Sequence, residues 1–386
     1  MPVPLPSEDE VLKTRPSAAE SQANAVGLFS AVAVDGQITP LQRLLIEALF
    51  PAMTEHEVDL DGIELLSAHE YACTLARRDI AFRTRSVQLM LLLALVLRPL
   101  PSEVTDRIAA FAAELGVDDS MIGVAQKFAA GSLGLAAFDF ERNGYTSEWS
   151  DADADALHTS VELADAWRQV VVDNPAMAAR WAELGDLPSG TLGRRVWELY
   201  RARGFAFPGS PGSAPPRLAQ HDWVHVLADF GTTVASELEV FAFIARANDD
   251  MRAFALLAMV VSLFETGYLR TEAGLFQSDT GHLAAPGMAE RLSDAMRRGA
   301  WCRDEVTGSS SIDYLRLDWF ELAPLPVDEV RRRFGVRPKT KSCVAAGSVT
   351  PWEPGGISPF QVKAGQARAA AAGEPYDAYG AEPATK

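Results

Sequence analysis

The sequence predicts an all-α chain of two helical domains, on three observations. Apolar residues recur at helical rather than alternating spacing from residue 23 to about residue 130, and again beyond Asp151. Ala, Leu, Glu and Arg dominate those stretches, and runs that alternate with period 2 are scarce. A chain of 386 residues, at roughly 150 per domain, suits two or three domains better than one. In chain order we expect a disordered start, a helical domain over residues 22–130, a short linker, a second helical domain over residues 150–338 and a disordered tail over 339–386.

Each piece has a local reason. The start, MPVPLPSEDE, carries prolines and acids where a secretory signal needs a basic end and then an apolar stretch, so the expected location is the cytoplasm. In the first block, Thr39-Pro40-Leu41-Gln42 places a capping hydroxyl, a proline at the first helical position and a glutamine three residues after the cap, which predicts a helix start. Leu41, Leu44, Leu45, Ala48 and Leu49 then mark its buried face. Residues 89–97 (LMLLLALVL) and 253–264 (AFALLAMVVSLF) are the most apolar stretches, but a bilayer span takes about 20 residues. Both read as buried helices, the second also as a candidate wall for a lipid groove. Arg83, Arg85 and Arg98, around the first of them, could touch a membrane surface or simply be solvated.

Glycines and an Asn-Gly pair over residues 131–150 mark the expected domain boundary. Residues 208–216 (PGSPGSAPP) predict an exposed loop. Beyond Pro338 the chain turns rich in Gly, Pro, Ala and Ser, with too few apolar residues to offset the entropy of ordering it.

The charge balance narrows function. With 52 Asp plus Glu against 35 Lys plus Arg the net charge is −17, which repels phosphates, so nucleic acid is not an expected partner. Cys73, Cys302 and Cys343 are odd in number and far apart, which fits a reduced compartment and leaves no CxxC zinc knot.

The chemistry concentrates at Gln220-His221-Asp222-Trp223-Val224-His225. Residues at i and i+4 lie one turn apart on a helix, so both imidazoles can face one metal ion. Glu237 is the natural third ligand, yet on one continuous helix it would stand about 18 Å from His225 and about 120° out of phase. Gly231-Thr232-Thr233 resolves this, because a glycine that can leave the helix and two capping hydroxyls let the chain turn and begin again. Two imidazoles and a carboxylate from two helices make a three-ligand site with an open position, the pattern of catalytic zinc. Asp222 is read as a fourth ligand, an orienter of a histidine or a proton donor. Asp229, continuing the i, i+4 series, and Glu239 are rival ligands.

His221, Asp222, His225 and Glu237 reproduce the pattern HDxxH, eleven residues, then Glu, and on them the chain resembles the Coq-four family of ubiquinone (coenzyme Q) biosynthesis. Residues 187–194 (LPSGTLGR), 318–321 (DWFE) and 330–335 (VRRRFG) extend the resemblance over roughly residues 150–338. Ser236 departs from it, standing where the family usually has glycine. The resemblance implies an all-α protein that holds zinc or another divalent metal on His221, His225 and Glu237, with Asp222 as acid–base group or fourth ligand. It further implies polyprenylated hydroxybenzoate precursors handled at the membrane surface, removal of the ring C1 carboxylate, and association with other quinone-biosynthesis proteins.

The first block resembles TerB-like helical domains of tellurite resistance through residues 31–40 (AVAVDGQITP) and Glu47, over about residues 22–130. Asp35 and Glu47 are the metal-ligand candidates there. Aligning Gly36 with the invariant EF-hand glycine puts Ala31, Ala33 and Gln42 at ligand positions, which excludes a calcium EF-hand. Two functions are therefore expected: a metal-dependent decarboxylase of a prenylated benzoate, or a non-catalytic adaptor that binds an isoprenoid lipid and organises a biosynthetic or membrane-stress complex. A phosphohydrolase, which also uses His-Asp doublets, lacks the additional upstream His and downstream Asp in a fitting context.

Overall fold

Capping chemistry sets where the helices begin. The computed structural model describes residues 16–131, 174–211, 213, 216, 218–248, part of 254–266 and 280–383. In the first block these form α1 (Ala18–Val32), α2 (Pro40–Thr54), α3 (Ala68–Thr74), α4 (Ile80–Leu95), α5 (Ser102–Leu115) and α6 (Ser120–Ala129). Reciprocal capping boxes open three of them, Ser17 with Glu20, Thr39 with Gln42 and Ser67 with Glu70, so orphan backbone N–H groups are satisfied at each start. Leu45, Ala48 and Leu49 of α2 are buried as their spacing predicts, and the Gln42 amide reaches across to donate to the Leu93 carbonyl at 3.0 Å. From Thr84 onward α4 is buried on every side, as its uninterrupted apolar run requires.

The second block contains α7 (Pro175–Ala182), α8 (Leu192–Arg203), α9 (His221–Ala228), α10 (Val234–Ala247), α11 (Met288–Ala300), α12 (Trp319–Leu322), α13 (Val327–Arg333), α14 (Lys341–Ala345) and α15 (Pro359–Ala372). The one sheet among the described residues is a short parallel pair, β1 (Pro354–Ile357) with β2 (Glu382–Pro383), so the chain is all-α. Helix α11 lies against α10 and also against α2, and one apolar core runs through both blocks. Arg85 stacks over Phe254 with its guanidinium 3.8 Å from the ring centroid, and Arg98 donates to the Thr266 carbonyl. Arg83 donates to the carbonyls of Arg78 and Leu115. The three arginines considered for a membrane surface thus all make contacts within the chain, Arg85 buried, Arg83 half-buried and Arg98 exposed. No described helix is long and apolar enough to cross a membrane.

Two sequence expectations are corrected. Residues 339–383, expected as a disordered tail, are ordered and carry α14, α15 and both strands. Their order comes mainly from backbone contact and amide hydrogen bonds, with Ile357, Trp352 and Tyr379 as the few large side chains that pack on the rest of the chain. Helix α15 crosses α8 where Gly204 meets the backbone of Ala364 and Gly365 meets the Ala202 carbonyl, an approach that leaves no room for a Cβ. The 208–216 loop, expected to be exposed, buries Pro208, Gly209 and Ser213 and receives a hydrogen bond from Asn174 N at the Gly209 carbonyl (2.8 Å), so it packs on the start of α7. The expected linker and the acidic start fall outside the described residues.

The α8–α15 crossing supplies a test. Gly365→Val should lower the free energy of unfolding by about 1–3 kcal/mol, the usual range for overpacking, as read from urea melts. An unchanged midpoint would mean that α15 is not held against α8.

Candidate metal centre

Helix α9 is eight residues long and buried throughout, so its orientation must be fixed by its ends and by one anchor. The anchor is Trp223. At i+2 from His221 it projects away from the histidine face, stacking on Trp319 with centroids 5.7 Å apart and planes 5° apart, and meeting Trp181 at 5.4 Å. The carbonyl end is satisfied group by group. Asp229 N and Phe230 N donate to the His225 carbonyl. Arg331 donates to the carbonyls of Val226 (3.1 Å) and Leu227 (2.9 Å), and Arg298 to that of Ala228 (2.7 Å). Cations at a helix C-terminus also meet the negative end of its dipole.

The predicted break between the helices is present, with a different residue in the left-handed conformation. Asp229 takes it, at φ 60°, and its carboxylate pairs with Arg331 at 2.6 Å. Gly231 is needed for closeness instead: a Cβ there would stand 2.9 Å from Gly356 Cα and 3.0 Å from its carbonyl oxygen. Thr233 is the N-cap of α10 by position, and its hydroxyl meets the Ser236 hydroxyl (3.2 Å). Glu237 follows in the first turn, directed at the histidines. Ser236, fully buried, therefore serves the turn in the place where the resembled family usually has glycine.

The ligand atoms of His221, His225 and Glu237 all lie within 4.8 Å of one another, and all three residues are buried. His221 Nε2 stands 3.3 Å from Glu237 Oε2, and His225 Nε2 stands 3.2 Å from Glu237 Oε1. Two ligands about 2.1 Å from a common ion, subtending roughly 90–110°, are separated by about 3.0–3.4 Å, so these spacings fit one divalent cation.

The tautomer of His225 strengthens the fit. Its Nδ1 is 2.7 Å from the Gly231 carbonyl and 3.2 Å from that of Phe230, both pure acceptors, so Nδ1 carries the proton. Nε2 has no hydrogen-bond partner and faces the carboxylate. A neutral imidazole would there set a lone pair against an anion, an arrangement that requires either a second ring proton or a cation between them. Burial works to raise the Glu237 carboxyl, but the imidazoles of His225 and His221 beside it outweigh that and lower the pKa to about 2, so Glu237 is an anion at neutral pH.

Asp222 lies beside the three donors and is not one of them. Its Oδ1 is 3.5 Å from His221 Nε2, while Oδ2 accepts a hydrogen bond from the Tyr200 hydroxyl at 2.6 Å. Burial pushes its carboxyl above the ordinary value, against the pull of His221 and His225. The rival ligands are committed elsewhere, Asp229 to Arg331 and Glu239 to Arg291 at 2.6 Å. In the first block Asp35 sits in a left-handed turn at φ 51° and Glu47 pairs with Arg43 at 3.5 Å.

Helix α8 supplies two residues that the motif does not contain, Tyr200 on Asp222 and Arg203 on Thr232, whose hydroxyl accepts from Arg203 Nε at 2.5 Å. Their spacing of three, which places both on one helix face, is the only sequence trace of this. Models of known protein families, curated proteins and solved structures give no match to this chain.

Arg331→Ala removes the partner of two helix-end carbonyls and of Asp229. The expected loss is about 1–3 kcal/mol of stability in chemical denaturation, since buried acceptors are left unpaired. A variant as stable as the parent would show that solvent replaces these bonds and that α9 is not fixed from this end.

Proposed function

We propose that this chain is a metal-dependent protein of quinone biosynthesis. In this reading His221, His225 and Glu237 hold zinc or another divalent ion, and Asp222 works beside them on a polyprenylated hydroxybenzoate whose C1 carboxylate is removed. The observation that carries it is the convergence of two buried imidazoles and one buried carboxylate, with His225 Nε2 left facing Glu237. The fit of these residues to the Coq-four pattern supplies the substrate class.

The ion, when bound, would stabilise charge developing on the ring carboxylate. The chain's own groups do the rest. The Gly231 carbonyl keeps the His225 proton on Nδ1, and the Tyr200 hydroxyl fixes Oδ2 of Asp222, leaving Oδ1 toward the site. As the C1–carboxyl bond breaks and carbon dioxide leaves, the ring carbon takes a proton, and Asp222 is the acid placed to deliver it. Burial disfavours the ionised form of Asp222, which suits an acid that must hold its proton until then. The same reading makes the protein a cytoplasmic, peripheral partner of the membrane that stores the prenylated substrate, working among other enzymes of the pathway.

Elemental analysis of purified protein beside its His221→Ala and Glu237→Ala variants tests this. About one divalent ion per chain, lost in both variants, is expected, together with release of carbon dioxide from a prenylated hydroxybenzoate by the loaded parent and not by Asp222→Asn. Metal-free parent protein that co-purifies with an isoprenoid would replace this reading with the lipid-binding adaptor.

A further inference from the structure

The segment beyond the family resemblance reaches the turn that joins the two ligand-bearing helices. Gly231 N donates to the Val349 carbonyl (2.9 Å) and Thr232 N to the Gly356 carbonyl (2.9 Å), so the turn hydrogen-bonds to residues 349–356 much as one strand does to another. The Gln361 side chain then holds Thr232 from both sides. Its Nε2 donates to the Thr232 carbonyl at 2.8 Å, and its Oε1 accepts from the Thr232 hydroxyl at 2.9 Å. Gln361 is 1% exposed, so water does not compete for these bonds.

Arg203 closes the arrangement from α8. Besides Thr232 it donates to the carbonyls of Pro351 (2.8 Å) and Gly356 (3.0 Å), tying the turn and the C-terminal segment to one buried cation. Burial lowers its pKa to about 9, which leaves it charged at neutral pH. Gly231, whose carbonyl accepts the His225 Nδ1 proton, is the residue before Thr232, and Glu237 starts five residues after it. A displacement of Thr232 therefore moves both halves of the site.

We infer that the C-terminal segment is a positioning element of the metal centre: Gln361, through Thr232, sets the Gly231–Glu237 turn and thereby the affinity for the ion. This rests on the metal-binding reading proposed above. Such a clamp gives the chain a means of coupling metal retention to the docking of a segment that ends outside the resembled domain.

The test is a competition titration of full-length protein with Zn²⁺, comparing the parent with Gln361→Ala and Ser358→Ala. Ser358 shares the capping box of α15 with Gln361 but makes no bond to Thr232, so its variant weakens the helix start and spares the clamp. Gln361→Ala should bind Zn²⁺ at least tenfold more weakly while Ser358→Ala stays within about twofold of the parent, a contrast that general loosening of α15 would not produce. Equal affinity in parent and Gln361→Ala, or equal weakening in both variants, would overturn the inference. If circular dichroism shows Gln361→Ala unfolded, the isosteric Thr232→Val decides in its place, with the same tenfold loss expected and unchanged affinity overturning the clamp. A parent that takes up no Zn²⁺ would instead overturn the metal reading itself.

Discussion

The arrangement of the site depends on one hydrogen bond, from His225 Nδ1 to the carbonyl of Gly231 at 2.7 Å. It decides which ring nitrogen carries the proton, directs Nε2 at Glu237 and requires the chain to turn back within six residues of the histidine. That turn is what brings a carboxylate from a second helix to two imidazoles of the first. Around it, nearly every other polar group near the site acts to keep a carbonyl or a carboxylate in place. Arg331 and Arg298 hold the end of α9, Tyr200 holds Asp222, and Arg203 and Gln361 hold Thr232. Carbonyls and carboxylates held in this way give a fixed geometry at low reorganisation cost, which a ligand set needs when affinity depends on spacing within a few tenths of an ångström.

The division of labour in α9 follows from helix geometry. Positions 221 and 225 share a face and carry two of the three candidate ligands, whereas Trp223 points the other way into an aromatic stack with Trp319, Tyr314 and Trp181. A short helix contributes little stability of its own. Its position is instead set by that stack and by the two arginines, which arrive from α11 and α13. Helix α8 has a comparable double role, since Tyr200 and Arg203, one turn apart, reach Asp222 and Thr232 respectively.

Much of this was legible in the sequence where the signal is local. The Thr39–Gln42 capping box, the buried run at residues 89–97 and the His221, His225, Glu237 set depend on spacings of a few residues or on one turn signal, and the structure has them. The turn was legible as a break but not in mechanism. Asp229 supplies the left-handed residue because Arg331 stabilises its carboxylate there, while Gly231 answers to the close approach of Gly356. The order of the C-terminal segment was not legible because it comes from side-chain bonds between residues 124 to 174 positions apart, made by Gln361, Thr232, Arg203 and Tyr376, which hydropathy does not register. Tyr200 carries no local signal either, since its bond to Asp222 joins residues 22 positions apart.

X-ray absorption spectroscopy at the zinc edge, on protein loaded with one equivalent of Zn²⁺, tests the central claim most directly. The account predicts a first shell of nitrogen and oxygen neighbours at about 2.0–2.2 Å with the outer-shell scattering of two imidazoles, reduced to one in His225→Ala. A shell containing sulfur at about 2.3 Å, or one without imidazole scattering, would contradict it.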